Sequence, residues 1–268
     1  MTQSLSDQTN CWVSIKSRFK RTKLDRPIHP RAGPMPPWQH VQTHQHTWGQ
    51  LAYASRGVLT VATSQGRFVV PPNQAVWLPP HLPHETFCRY GGQFSSVYID
   101  TSYVARLGLN AKVLHIDDLL KAMVLMICSW PEDYNLDART MRFIDVFIDC
   151  LECAPTSQFF IPTAQDNRLT PILSELHAHP GCHKTLEQWG LEVGASSRTL
   201  NRLFNKSFSM NFSQWKQKLR ALRAVEMLES GHSQQYIAQQ LGFESSSAFN
   251  TAFKKTLATT PGQYLKNR

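Results

Sequence analysis

The chain has 268 residues, of which 41% are hydrophobic and 18% charged, with a formal net charge of +9. That length accommodates two domains of ordinary size, each with a core of its own, and the most apolar run, Ala122 to Trp130, is far short of a bilayer span. The first residues, MTQSLSDQTNCWVSIKSRFKRTK, lack the continuous apolar stretch of a secretory signal, so the expected location is cytoplasmic and no membrane partner is expected.

Residues 1 to 31 are polar, Pro-punctuated and basic, with 7 Lys+Arg against 2 Asp+Glu, and read as a flexible leader. From Gly33 the text turns to short β-type runs. GQLAYAS, GVLTVATS, GRFVVPP, AVWLPP and FSSVYID are rich in Val, Leu, Tyr and Trp and are divided by Gly, Pro and Asn. Short strands at close intervals with no helix between them predict an antiparallel sandwich or small barrel. Near residue 115 the period changes. HIDDLLKAMVLMICSW and LDARTMRFIDVFIDCLE carry apolar residues at three- and four-residue intervals and predict a helical hairpin about the break PEDYN.

On the second of these helices Met141, Ile144, Phe147, Ile148 and Leu151 form one stripe, expected to contribute a symmetric dimer contact. Cys150 and Cys153 form a CxxC without a second pair to complete a zinc site and are read as two buried thiols one turn apart. Residues 32 to 153 thus make one domain, near neutral in charge. APTSQFFIPTAQDN (154 to 167) has two prolines and no helical period, and is read as the interdomain linker.

The last domain, 168 to 268, contains one unit written twice. TLEQWGLEVG opens with a capping box, Thr185 and Gln188, and ends at Gly194. Ser196 then caps SRTLNRLFNKS, in which Leu200, Leu203 and Phe204 point inward and Arg198, Asn201, Arg202 and Asn205 share the opposite face. Such a polar stripe has the chemistry of a recognition helix, because these side chains donate to guanine or pair bidentately with adenine. Ser197 at its start and Lys206 near its end complete the expected DNA-facing set.

In the second copy SQQYIAQQLG stops at Gly242 and Ser245 caps SSAFNTAFKKT, presenting Ser246, Ser247, Asn250, Thr251 and Lys254 outward. Between the copies FSQWKQKLRALRAVEMLES is a longer helix able to hold both units at a fixed separation. The domain is basic: residues 166 to 268 hold 13 Lys+Arg against 7 Asp+Glu, as a polyanion partner requires.

WKQKLRALRAVEMLESG, IAQQLGFESSSAF, FKKT and TPGQY match, in order and spacing, the C-terminal signature of the AraC/XylS regulators, which this region resembles over roughly its last 100 residues. Ser209 and Ala258 stand where that family usually has glycine, and Ser246 where proline is common. The resemblance implies Arg198, Asn201 and Arg202 as base readers, with weaker readout by the second helix, which has no long cationic side chain at Ser246, Ser247, Asn250 or Thr251.

Further upstream, HQHTWGQLAYASRG resembles the first cupin motif, with His44 and His46 on one face of a strand and Gln50 in place of the usual glutamate. PPHLPH resembles the second, with His84 as the third histidine. Three histidines and Gln50 suit either an effector pocket or a divalent transition metal, while His29, His40 and His81 lie nearby. Pro71, Pro72, Trp77, Pro79, Pro80 and Trp48 offer rigid apolar pocket walls.

The expected fold is α+β: an antiparallel cupin-like barrel with a helical hairpin, followed by an all-α double helix-turn-helix domain. The expected function is a homodimeric transcription regulator that binds double-stranded promoter DNA, answers a small-molecule effector and contacts RNA polymerase. The alternatives are a cupin metalloenzyme, a dioxygenase or isomerase with a helical appendage, and a nucleic-acid organiser without effector control.

Overall fold

The computed structural model describes residues 12–17, 23–157, 160–162, 164 and 166–266. Two six-stranded sheets face each other in the N-terminal half. The first runs β1 (Val13–Ile15), β3 (Gln39–His44), β8 (His84–Cys88), β5 (Leu59–Thr63), β6 (Gly66–Val70), β12 (Phe160–Pro162). The second runs β11 (Thr156–Ser157), β10 (Lys112–His115), β7 (Gln74–Leu78), β4 (Gly49–Arg56), β9 (Gly92–Ile99), β2 (Ile28–Met35). Among the described residues every pairing is antiparallel except β1 with β3.

β4 shows why the strands lack clean polar alternation. Ala52 and Ala54 face the other sheet, where Leu59, Val61, Phe68 and Val70 meet them. Leu51 and Tyr53 point the other way, into a core closed by helices. A strand covered on both faces reads as a continuous apolar run.

The helices that close this core follow the second sheet: a 3₁₀ turn (Thr101–Tyr103), α1 (Val104–Leu107), α2 (Asp118–Cys128) and α3 (Ala138–Cys153). Asp117 and Asp137 cap α2 and α3. The stripe expected to make a dimer contact is spent here. Ile144, Phe147 and Ile148 are fully buried and Leu151 nearly so, packed against α2 and the second sheet. The thiols at the end of α3 also differ from expectation, since Cys150 is half-buried and Cys153 exposed.

Two boundaries move. Most of the predicted leader lies outside the described residues, but Val13–Ile15 pairs with β3, and Ile28 to Arg31 open β2 against β9. β2 escapes a propensity reading because it contains Pro30, Gly33 and Pro34. As the edge strand of its sheet it tolerates residues that cannot donate to a ladder. The predicted linker, in turn, carries β11 and β12, one on the edge of each sheet.

The C-terminal half is helical: α4 (Leu169–Ala178), α5 (Leu186–Val193), α6 (Ser197–Phe208), α7 (Phe212–Glu229), α8 (Gln234–Gln240), α9 (Ser246–Leu257) and α10 (Pro261–Lys266). Helix α7 is buried on more than one side because its two halves serve different cores. Trp215, Leu219 and Leu222 pack with α4, α5 and α6, while Ala224, Val225, Met227 and Leu228 pack with α8 and α9. The two units correspond residue by residue from the second helix onward. Ser196 and Ser245 cap it. Phe204 meets Trp215 in one copy, and Phe253 meets Tyr264 at the matching place in the other. Ser209 and Ala258, at φ 56° and 59°, take the left-handed turn that glycine would adopt freely.

The halves touch. Val58, Val69 and Ile161 join the core of α4, α5 and α6, and the Thr60 hydroxyl donates to a Glu226 carboxylate oxygen of α7 at 2.9 Å.

Candidate nucleic-acid interface and effector cavity

Helix α6 starts where the Ser196 hydroxyl accepts the Thr199 amide at 3.1 Å. The hydrophobic pull on Leu200, Leu203 and Phe204 then fixes its rotation. Arg198, Arg202, Asn205 and Lys206 are left exposed, with Ser197 half-buried beside them. No acidic residue occurs in α6 or α9, so nothing on either helix repels phosphate.

Asn201 also makes a contact within the protein. It is half-buried, and its Oδ1 accepts the backbone N–H of Phe212 at 3.3 Å, tying α6 to the first turn of α7. On α9, Ser247, Thr251 and Lys254 are exposed and Ser246 is half-buried at the first helical position. Asn250 occupies the place of Asn201, and its Oδ1 is buried without a hydrogen-bond partner. The residue at the place of Phe212 is Pro261, which has no N–H to give.

Between the sheets lies a cavity of about 550 Å³, within the range of small-molecule sites. Met35, Val41 and Phe94 give it apolar walls, and Arg31, His44, Gln50, Thr86 and Tyr98 bring polar groups to it. Arg31 donates to the Tyr98 hydroxyl at 2.9 Å. The apolar residues expected as walls are elsewhere. Trp77 is in the helix-covered core with its indole N–H on the Gly108 carbonyl at 2.8 Å, and Trp48 stacks on His46. Sequence reasoning missed Arg31, Met35 and Phe94. The signal lay in the edge strand β2, whose prolines disguised it.

The three histidines do converge, but by another route than one strand face. His44 ends β3 and pairs with His84 at the start of β8, and His46 lies in the loop before β4. Ring centroids are 4.3 Å apart for His44 and His84, 5.2 Å for His46 and His84, and 6.4 Å for His44 and His46. Each Nδ1 faces a backbone carbonyl: Gln42 at 2.9 Å, Trp48 at 2.7 Å and Leu82 at 2.9 Å. For His44 and His84 the hydrogen therefore sits on Nδ1 and leaves Nε2 as the acceptor.

His46 Nε2 is 2.8 Å from the Gln50 amide, whose other end meets the Ser96 hydroxyl at 3.0 Å. The Gln50 NH2 donates to that hydroxyl, which in turn donates to the Leu51 carbonyl at 3.1 Å, so both ring nitrogens of His46 face oxygens. Burial pushes all three imidazoles down, His84 to about 3, so the cluster is neutral near pH 7. This arrangement does not fit the divalent transition metal that the cupin motifs left open beside the effector pocket. His46 is committed to Gln50, there is no carboxylate, and among the described residues no group of three or more His, Cys, Asp or Glu side chains is placed to hold an ion. His29, His40 and His81 lie outside the cluster; His40 stacks on Phe87 instead.

Two sequence families account for nearly all of this architecture. The helix-turn-helix domain family matches residues 189–267, and the AraC-like ligand binding domain family matches residues 32–179, reaching past the strands into α4. The chain belongs to the AraC family of transcriptional regulators. Similar proteins include the HTH-type transcriptional regulator NimR of Escherichia coli K12, 30% identical over 222 residues that cover 83% of this chain and 81% of NimR. The HTH-type transcriptional regulator RipA of Corynebacterium glutamicum is 28% identical over 103 residues, 38% of this chain and 31% of RipA. Among solved structures, ToxT of Vibrio cholerae is 14% identical, covering 90% of this chain and 98% of its own, with a TM-score of 0.39.

This AraC-family chain is therefore a DNA-binding transcriptional regulator with a ligand-binding effector domain. The membership sets aside both the metalloenzyme and the effector-free organiser. Among the described residues no helix is long and apolar enough to cross a membrane.

Proposed function

We propose that this regulator reads its promoter chiefly through α6, with Arg198 and Arg202 on base edges and Lys206 on phosphate, while α9 adds contacts from Ser247, Thr251 and Lys254. The observation that carries this reading is the exposed row on α6, held to the second unit by a helix of 18 residues, roughly 27 Å long. A rigid spacer of that length suits two recognition helices about one DNA turn, ~34 Å, apart. Asn201 serves as an internal anchor that ties α6 to the first turn of α7.

The effector enters the barrel cavity, where Arg31, His44, Gln50 and Tyr98 recognise its polar groups, and its binding shifts the balance of domain arrangements. Homodimerisation uses the apolar residues left exposed on the hairpin, Leu119, Leu125 and Met126 of α2 and Val146 of α3, in place of the buried stripe. RNA polymerase is a further partner of the DNA-bound dimer, and all of this takes place in the cytoplasm.

A footprint of the full-length protein on the promoter nearest its own gene tests the reading. Protection over two adjacent major-groove faces is expected, lost with Arg202→Ala. Gln50→Leu should leave the footprint and remove its response to effector. Binding to random DNA with the same affinity at every salt concentration would sink the proposal.

A further inference from the structure

The two helix-turn-helix units are joined by more than α7. The loop from α4 to α5 passes the turn from α8 to α9 so closely that no side chain fits between them. A Cβ on Gly181 would come within 2.6 Å of the Gln240 carbonyl oxygen and 3.3 Å of the Gly242 nitrogen. From the other side, a Cβ on Gly242 would come within 2.5 Å of the Gly181 carbonyl oxygen. Gly242 also needs glycine for its left-handed φ of 68°. Gly181 lies outside that region, so it is the approach of the other unit that demands glycine there.

Arg220 of α7 clamps this contact. Its Nε donates to the Pro180 carbonyl at 2.9 Å, and its Nη2 lies 3.5 Å from the carbonyls of Gly181 and Cys182. Hydrogen bonding uses the edge of a guanidinium and leaves its flat face for stacking. That face rests on Phe243, 5.2 Å from the ring centroid, and Phe243 meets Phe249 of α9 with centroids 5.7 Å apart. One side chain thus links the loop before α5 to the buried face of α9. Leu257, the last residue of α9, adds a further tie by packing against the cores of both units. A connecting helix fixes the distance between two bodies; contacts away from its axis fix the angle between them.

We propose that Arg220 and the Gly181–Gly242 contact position α6 against α9, and so set the one spacing of base pairs at which both helices read a promoter together. This rests on the reading above that both helices contact DNA. Arg220 is turned onto the loop carbonyls and Gly181 has no side chain, so both act from behind the recognition helices and supply no base contact themselves. One base pair added between the two read segments turns the second by about 34° and moves it by ~3.4 Å. A pair of units held edge to edge cannot follow that turn, and one helix must give up its contacts. A pair joined by α7 alone has more freedom to follow it.

Binding of the full-length protein to three DNAs tests the clasp: the footprinted promoter, the same promoter with one base pair inserted between the segments read by α6 and α9, and a DNA that keeps only the α6 segment. Wild type should bind the inserted DNA about tenfold less tightly than the native spacing, the cost of losing the contacts of one helix. Gly181→Ala drives a methyl against the Gln240 carbonyl and prises the units apart, and Arg220→Gln removes the fork. Each should shrink the ratio to about threefold or less, chiefly by weakening binding at the native spacing. Arg220→Lys, which keeps the stem and one donor for Pro180, should restore part of the ratio. All four proteins should bind the α6-only DNA alike, which shows the first unit folded in each. Wild-type discrimination in both Gly181→Ala and Arg220→Gln, or equal losses on all three DNAs, would overturn the proposal. A wild type indifferent to the inserted base pair is a different failure: α9 then does not read the promoter, and the clasp falls together with that reading.

Discussion

The two helix-turn-helix units share a scaffold and differ in what they hang on it. Each has a serine cap, a buried aromatic pair and a left-handed non-glycine residue at matching positions. Where the first presents Arg198 and Arg202, the second presents Ser247 and Thr251. Where Asn201 finds the amide of Phe212, Asn250 faces a proline. The lesson is that packing positions hold the fold while the outward face and even an internal anchor are free to diverge. The pair therefore behaves as one strong reader and one supporting clamp.

The largest effect that sharpens this contrast is on DNA. Arg202→Ala should cost about 1 to 3 kcal/mol on the specific site and much less on random DNA, as a lost base contact does. Thr251→Ala should cost far less on both. Lys206→Ala should weaken both DNAs alike and lower the salt slope by about one unit. Fluorescence anisotropy across a salt series measures all three, and equal losses for Arg202→Ala and Thr251→Ala would erase the asymmetry.

Next comes stability. Asn201→Ala should destabilise the protein by about 1 kcal/mol, because the Phe212 amide loses its acceptor. Asn250→Ala should stay within about 0.5 kcal/mol of wild type, because its oxygen has no bond to lose. Urea melts of the two variants decide this, and matched losses would show that Asn250 has an anchor of its own. The smallest effects are gains. Ser209→Gly and Ala258→Gly relieve a left-handed backbone and should each add about 0.5 kcal/mol, read as a raised urea midpoint. A loss at either site would mean that its side chain contributes more than its backbone strain costs.

The helical half was the more legible in the sequence, because caps, stop glycines and a 3.6-residue period all act locally. Thr185 with Gln188, Gly194, Ser196 and Ser245 each predict a helix end found in place. What escaped was nonlocal. Asn201 lies on the polar stripe of its own helix, and only its distance to Phe212, eleven residues on, shows it to be an anchor. The α3 stripe was read correctly as apolar and wrongly as a dimer contact, because a single chain does not say how much sheet there is for a helix to cover. The His44, His46 and His84 convergence was legible from motif spacing. The turn of His46 toward Gln50 was not, since a side-chain hydrogen bond leaves no trace in spacing. Arg31 was hidden in a strand that prolines made look like leader.

The segment leaving α3 lays Thr156 and Ser157 along β10, then Phe160 to Pro162 along β6, before α4 begins. Anyone splicing this sensor onto another DNA-binding module meets a constraint there. A junction made at Ala154 would strip the last strand from both sheets at once and leave β10 and β6 as raw edges, open to strand addition from a neighbouring molecule. The splice that keeps the hybrid soluble falls after Pro162, so the piece of chain that most resembles a dispensable tether travels with the sensor.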